Sequence, residues 1–97
     1  MAEAKVECRT PNPDKPGMTN IPKWKFDLVR SAILAELANG DVPFSELSGR
    51  VGARLPDEDK SRLGSLGWHV TTVKLELEVR GEIGRADDKG PQIVTLK

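Results

Sequence analysis

From Lys23 onward the apolar side chains recur at helical spacing. Phe26, Val29, Ile33 and Leu37 share one side, while Lys25, Asp27, Arg30 and Glu36 fall mostly elsewhere. This predicts a first helix, with Pro22 suited to its first turn and Asn39-Gly40 to the left-handed turn that ends it. Asp41-Val42-Pro43 is too short for more than an isolated strand or extended bridge. Phe44, Leu47, Val51 and Leu55 then mark a second helical face. Gly49 and Gly52 each weaken that helix by up to about 1 kcal/mol relative to alanine, so it needs packing against the first. Pro56 and the run Asp57-Glu58-Asp59-Lys60 read as a polar loop.

A third helix is expected from about Gly67 to Arg80, announced near Ser65 and closed by Gly81. Its apolar residues lie on two sides. Leu66, Val70, Val73 and Leu77 cluster together, whereas Trp68, Leu75 and Val79, with Thr72 among them, fall opposite. Both sides call for cover. Glu82 to Ala86, the turn residues Asp87-Asp88-Lys89-Gly90-Pro91, and the β-branched run Gln92 to Leu96 predict a C-terminal hairpin. Residues 1–20 hold Pro11, Pro13, Pro16 and Gly17 with few sizeable apolar side chains, and read as a flexible proline-rich arm ahead of a domain spanning 21–97.

Helix, short strand, helix, loop, helix and hairpin is the order of an α+β winged helix-turn-helix, a three-helix bundle with a C-terminal β-hairpin wing. Ile33, Leu37, Leu47, Val51, Val70 and Leu77 would form its core. The segment Leu75 to Arg85 resembles the helix-to-wing junction of many winged-helix regulators, with a helix ending in Leu-Glu, a glycine break, then Ile and Arg opening the wing. Thr19-Asn20-Ile21, Lys23-Trp24-Lys25-Phe26-Asp27 and Gly67-Trp68-His69-Val70-Thr71-Thr72-Val73-Lys74-Leu75-Glu76-Leu77-Glu78 resemble an uncharacterised family of small bacterial winged-helix-like proteins, over residues 9–97. The family has no assigned activity, so the resemblance speaks for the fold. Pro22 and Pro43 stand where capping polar residues would be expected, which affects only the exact helix starts.

Composition narrows the function classes. Ninety-seven residues at 37% hydrophobic content support one small core. Fifteen basic and fifteen acidic residues cancel, so no global field draws the chain to nucleic acid or an anionic membrane. The longest apolar run, Ala32 to Ala35, is far short of a bilayer span, and no apolar leader opens the chain, which together predict a soluble, cytoplasmic protein. One cysteine, Cys8, allows no internal disulfide, and one histidine, His69, argues against a Cys/His metal site.

The first candidate chemistry is recognition of double-stranded DNA by the third helix and the wing, which would supply phosphate contacts and a few side chains at base edges. Lys60, Arg62, Ser65, Arg85 and Lys89 would meet phosphates, and His69, Thr71, Thr72 and Lys74 would be nearest the bases. A neutral module has few such contacts, which favours two half-sites and a homodimer. Glu76 and Glu78 would repel phosphates, leaving only the N-terminal half of the helix suitable; the plain alternative is an ordinary solvated surface. The second candidate is a protein or self-association surface at Trp68, Leu75 and Val79, since such side chains lose about 1.5–3 kcal/mol each if left in water. Its plain alternative is intramolecular cover by the wing and the arm.

Weaker signals remain. Gly64-Ser65-Leu66-Gly67 has the spacing of an RNA-clamping glycine loop but lacks the basic residue between the glycines. His69 has no evident catalytic companion, Cys8 lies in the arm, and the consecutive carboxylates Asp57-Glu58-Asp59 lack the spacing of a calcium loop. The expectation is a non-enzymatic protein with no cofactor, metal, small-molecule substrate or membrane contact.

Overall fold

The computed structural model describes residues 4–9, 18–85 and 92–97. The fold is mixed α+β, with two strands, β1 (Lys5–Arg9) and β2 (Met18–Pro22), ahead of α1 (Lys23–Leu37). A short strand β3 (Val42–Pro43) leads to α2 (Phe44–Arg54), α3 (Asp57–Leu63) and α4 (Leu66–Arg80), followed by β4 (Ile83–Arg85) and β5 (Ile93–Leu96). The described helices are four rather than three. None is long and apolar enough to cross a membrane.

The core follows the periodicities. Phe26, Val29, Ile33 and Leu37 from α1 meet Leu47 and Val51 from α2 and Val70, Val73 and Leu77 from α4, all buried. Gly52 explains how closely α2 approaches α4, because a Cβ there would stand 2.8 Å from Leu66 Cδ2. Gly49 faces open space and has no packing reason to be glycine. Gly81 ends α4 in the left-handed conformation at φ 78°, which a side chain rarely adopts.

Strands β3, β5 and β4 form an antiparallel sheet in that order, with Val42 opposite Val94 and Ile83 opposite Leu96. The expected C-terminal hairpin is thus present, and the bridge residues join it as a third strand because Val42 and Val94 share the core. The turn residues 86–91, Lys89 included, lie outside the described residues.

Two expectations need correction. The polar run after Pro56 is α3, a helix whose first turn is acidic and whose last turn is basic, in accord with its dipole, and whose Leu63 seals it onto the core. Residues 5–9 and 18–20, expected in an arm, instead belong to a β1–β2 ribbon, with Cys8 opposite Thr19 and Val6 opposite Ile21. Cys8 and Ile21 are buried in the core. The prolines lie between the strands, in residues 10–17 outside the described set.

Candidate functional site

Helix α4 presents four different surroundings. Leu66, Val70, Val73 and Leu77 point inward, and β1 runs along the flank bearing Glu76 and Arg80. Lys74 and Glu78 occupy the other flank beside Gln92 and Arg85. The outward side, at 100° per residue, carries Trp68, Thr72, Leu75 and Val79. Trp68 is 48% exposed there, and the other three are half-buried. Its indole meets the His69 ring edge to face at 4.8 Å.

The flank facing β1 is built on Glu76, whose side chain is wholly buried. Its Oε1 accepts from the Arg9 backbone N–H at 2.9 Å and from Arg9 Nε at 3.0 Å, while Oε2 accepts from Arg9 Nη2 at 2.8 Å and Arg80 Nε at 2.6 Å. Burial by itself would raise the pKa of this carboxyl, but the hydrogen bonds from Arg9 and Arg80 outweigh it and hold the pKa down at about 2. Arg80 is fixed in turn over the Phe26 ring at 4.8 Å. Glu76, read from the sequence as a charge that would repel phosphate, is instead neutralised inside the molecule. The i,i+4 spacing allows the Arg80 pair, but no local pattern announces the Arg9 partner, 67 residues away.

On the opposite flank Lys74 is 2% exposed, and its Nζ donates to Gln92 Oε1 at 2.5 Å and lies 2.7 Å from Glu78 Oε1. The Glu78 contact is an ion pair whose angle leaves Oε1 without a well-aligned hydrogen bond. The ammonium also sits 4.6 Å over the Phe44 ring. Lys74 therefore ties α2 and the residue ahead of β5 to α4 and does not reach outward to a base edge.

His69 is likewise turned in, 7% exposed, with its Nδ1–H donating to the Ser65 carbonyl at 2.6 Å. A carbonyl can only accept, so that ring nitrogen carries the proton. These two placements correct the expectation that His69 and Lys74 would stand nearest to bases. Thr71 and Thr72 are half-buried, and the Ser65 hydroxyl caps α4 by accepting from the Trp68 N–H at 3.3 Å. Among the expected phosphate contacts, Lys60 Nζ lies 3.3 Å from Asp57 and Arg85 Nε lies 3.9 Å from Glu78. Arg62 stacks over the Trp24 ring at 4.6 Å and has no carboxylate partner among the described residues.

No group of three or more His, Cys, Asp or Glu side chains that could hold a metal ion occurs among the described residues. Cys8 is 4% exposed, and burial, aided by Glu76 and partly offset by Arg80, pushes its thiol up to about 11. It is held in place, contrary to the arm reading, yet is a poor nucleophile because the thiolate is disfavoured.

Residues 5–93 match the model of a family of unknown function, DUF6958. No curated protein and no solved structure matches the chain. With nearly its whole length inside that match, including the ribbon, α4 and the start of β5, the chain belongs to this family of unknown function.

Proposed function

We propose that the chain is a non-enzymatic winged-helix module that binds protein through the outward side of α4, with a second copy of itself as the simplest occupant. The winged-helix reading is supported by the sheet order β3-β5-β4 and by the succession α1, β3, α2, α3, α4, β4 and β5, in which the short α3 is an addition to the expected order. The observation that carries the interaction reading is Trp68, a large apolar side chain left 48% exposed. Thr72, Leu75 and Val79 extend that surface along the helix, and the charges of α4 sit on its flanks in ion pairs within the chain. An uncharged strip anchored by an exposed tryptophan is the kind of surface at which few residues carry most of the association energy.

Sedimentation velocity over a range of protein concentrations tests this. Self-association that Trp68→Ala abolishes, with unfolding free energy changed by less than about 1 kcal/mol, is the expected result. A protein that stays monomeric at every concentration ends the self-association reading, and a variant that unfolds assigns Trp68 to the core.

DNA binding is the second reading, favoured by Arg62, a cation free of carboxylates among the described residues, and by Thr71 and Thr72 near the surface. Burial of His69 and Lys74 weighs against it. Addition of a random duplex at low salt should then shift the resonances of Arg62, Thr71 and Arg85, an effect that fades as salt rises. Unmoved resonances at low salt dispose of this reading.

A further inference from the structure

The β1–β2 ribbon and the helical core are joined by unlike means. Along β1, Lys5, Glu7 and Arg9 are exposed, Val6 is half-buried, and only Cys8 is fully buried, so the strand brings little apolar surface to the contact. What binds it is mainly polar: three hydrogen bonds from Arg9 to Glu76 and one from the Lys23 N–H to the Ala4 carbonyl at 2.8 Å. Arg9 itself remains 51% exposed. Water therefore already reaches the clasp.

Release of β1 would not leave Glu76 without a counter-charge. Arg80 pairs with it from the same helix, one turn away, and is steadied over Phe26, so half of the clasp stays on α4. A two-stranded ribbon has little stability without a surface to pack on, so strand pairing and docking would be lost together. Ile21 lies next to the start of α1 and is packed into the core, which places the boundary of the movable part close to β2.

We propose that β1 is a strap on α4, able to detach as a unit while α1, α2, α4 and the three-stranded sheet stay folded, with the Arg9–Glu76 clasp setting how often it opens. Opening uncovers the Cys8 thiol and the Glu76 flank of α4. The cysteine is thereby gated: inert in the closed form, where it is buried, and open to thiol reagents only when the strap lifts. This holds whether or not the outward side of α4 receives a partner.

The full chain tests the idea through the rate at which an aromatic disulfide reagent labels Cys8 at increasing urea, compared with global unfolding followed by far-ultraviolet circular dichroism. The slope of an opening free energy against urea scales with the surface exposed. A strap predicts labelling below the global transition with a slope well under that of global unfolding. Arg9→Ala and Glu76→Gln should each speed labelling by about tenfold or more, equivalent to about 1.4 kcal/mol of opening free energy, without steepening that slope. Labelling whose urea slope equals that of global unfolding, in the wild type and in Arg9→Ala, overturns the proposal. So does a Cys8 that Arg9→Ala labels no faster than wild type.

Discussion

The ribbon and the helical core lie against the same helix, yet one is held by charge and the other by apolar burial. Inward-facing Val70, Val73 and Leu77 pack against α1 and α2, where only shape and apolarity matter. A quarter-turn away, the buried Glu76 carboxylate gathers its donors from Arg9, which is half in water, and from Arg80. Apolar packing in the core is spread over many residues, whereas β1, with Cys8 as its one fully buried side chain, gathers most of its side-chain hydrogen bonds on one carboxylate. The two regions should therefore differ in how sharply a single change is felt and in what pH does to them.

The largest expected effect is in the core. Leu77→Ala should cost about 2–5 kcal/mol of unfolding free energy in urea and lower the stability of the whole molecule, because its neighbours can collapse only partly into the space left. A loss below about 1 kcal/mol would mean that α4 is not the centre of the packing.

Acid should act on the ribbon. The Glu76 pKa is held at about 2 against an ordinary 4.5, so its contribution is complete above pH 4.5 and disappears as pH falls from there through 2. The linked loss is at most about 3.5 kcal/mol, reduced by screening because Arg9 is half in water. Urea melts at pH 5 and pH 2.5 should show wild type losing more stability than Glu76→Gln, which cannot titrate. Equal losses in the two proteins would place the acid-sensitive group elsewhere.

The third comparison concerns the other flank of α4, where Lys74 and Glu78 form a second buried pair. Lys74→Met alone leaves Glu78 with only the more distant Arg85, at 3.9 Å, and should cost about 2–3 kcal/mol, whereas Lys74→Met with Glu78→Leu should return to within about 1 kcal/mol of wild type, since apolar replacements remove both desolvation costs. If the double variant is as unstable as the single one, Gln92 and Phe44 require the ammonium for reasons beyond its pairing with Glu78. Smallest are the two glycines of α2. Gly49→Ala should stabilise by about 0.5–1 kcal/mol, and Gly52→Ala should lose that gain because the new methyl displaces Leu66. Thermal melts of the pair read the difference directly.

The helices of the core were legible because burial on one side of a helix leaves a mark every three or four residues. Phe26, Val29, Ile33 and Leu37 announce α1 in this way, and Phe44, Leu47 and Val51 announce α2. The hairpin was legible through its β-branched run and turn residues. Helix α3 was not, because seven residues with Leu63 as the one buried side chain carry no period, and acidic residues after proline look the same in a loop and in a first helical turn. The ribbon was obscured by the prolines between its strands, whose density suggests an arm although β1 and β2 on either side pair in register.

For the candidate site, the sequence by itself determined that Trp68, Leu75 and Val79 share one side of α4, opposite Leu66, Val70, Val73 and Leu77, because helical spacing fixes the relative direction of each side chain; that this side faces outward, with Trp68 exposed, was decided by the tertiary structure. Trp68, Leu75 and Val79 stand where that geometry puts them. Tertiary structure alone decided the fate of the polar residues. Lys74, Glu76 and His69 are each compatible with solvent when read in sequence, and each is buried: Lys74 and Glu76 with partners brought from distant segments, Gln92 just before β5 and Arg9 from β1, and His69 with a carbonyl one turn back. The physical reason is that apolar burial follows from a residue's own chemistry and spacing, whereas a buried charge needs a specific counterpart whose arrival depends on how distant segments of the chain come together.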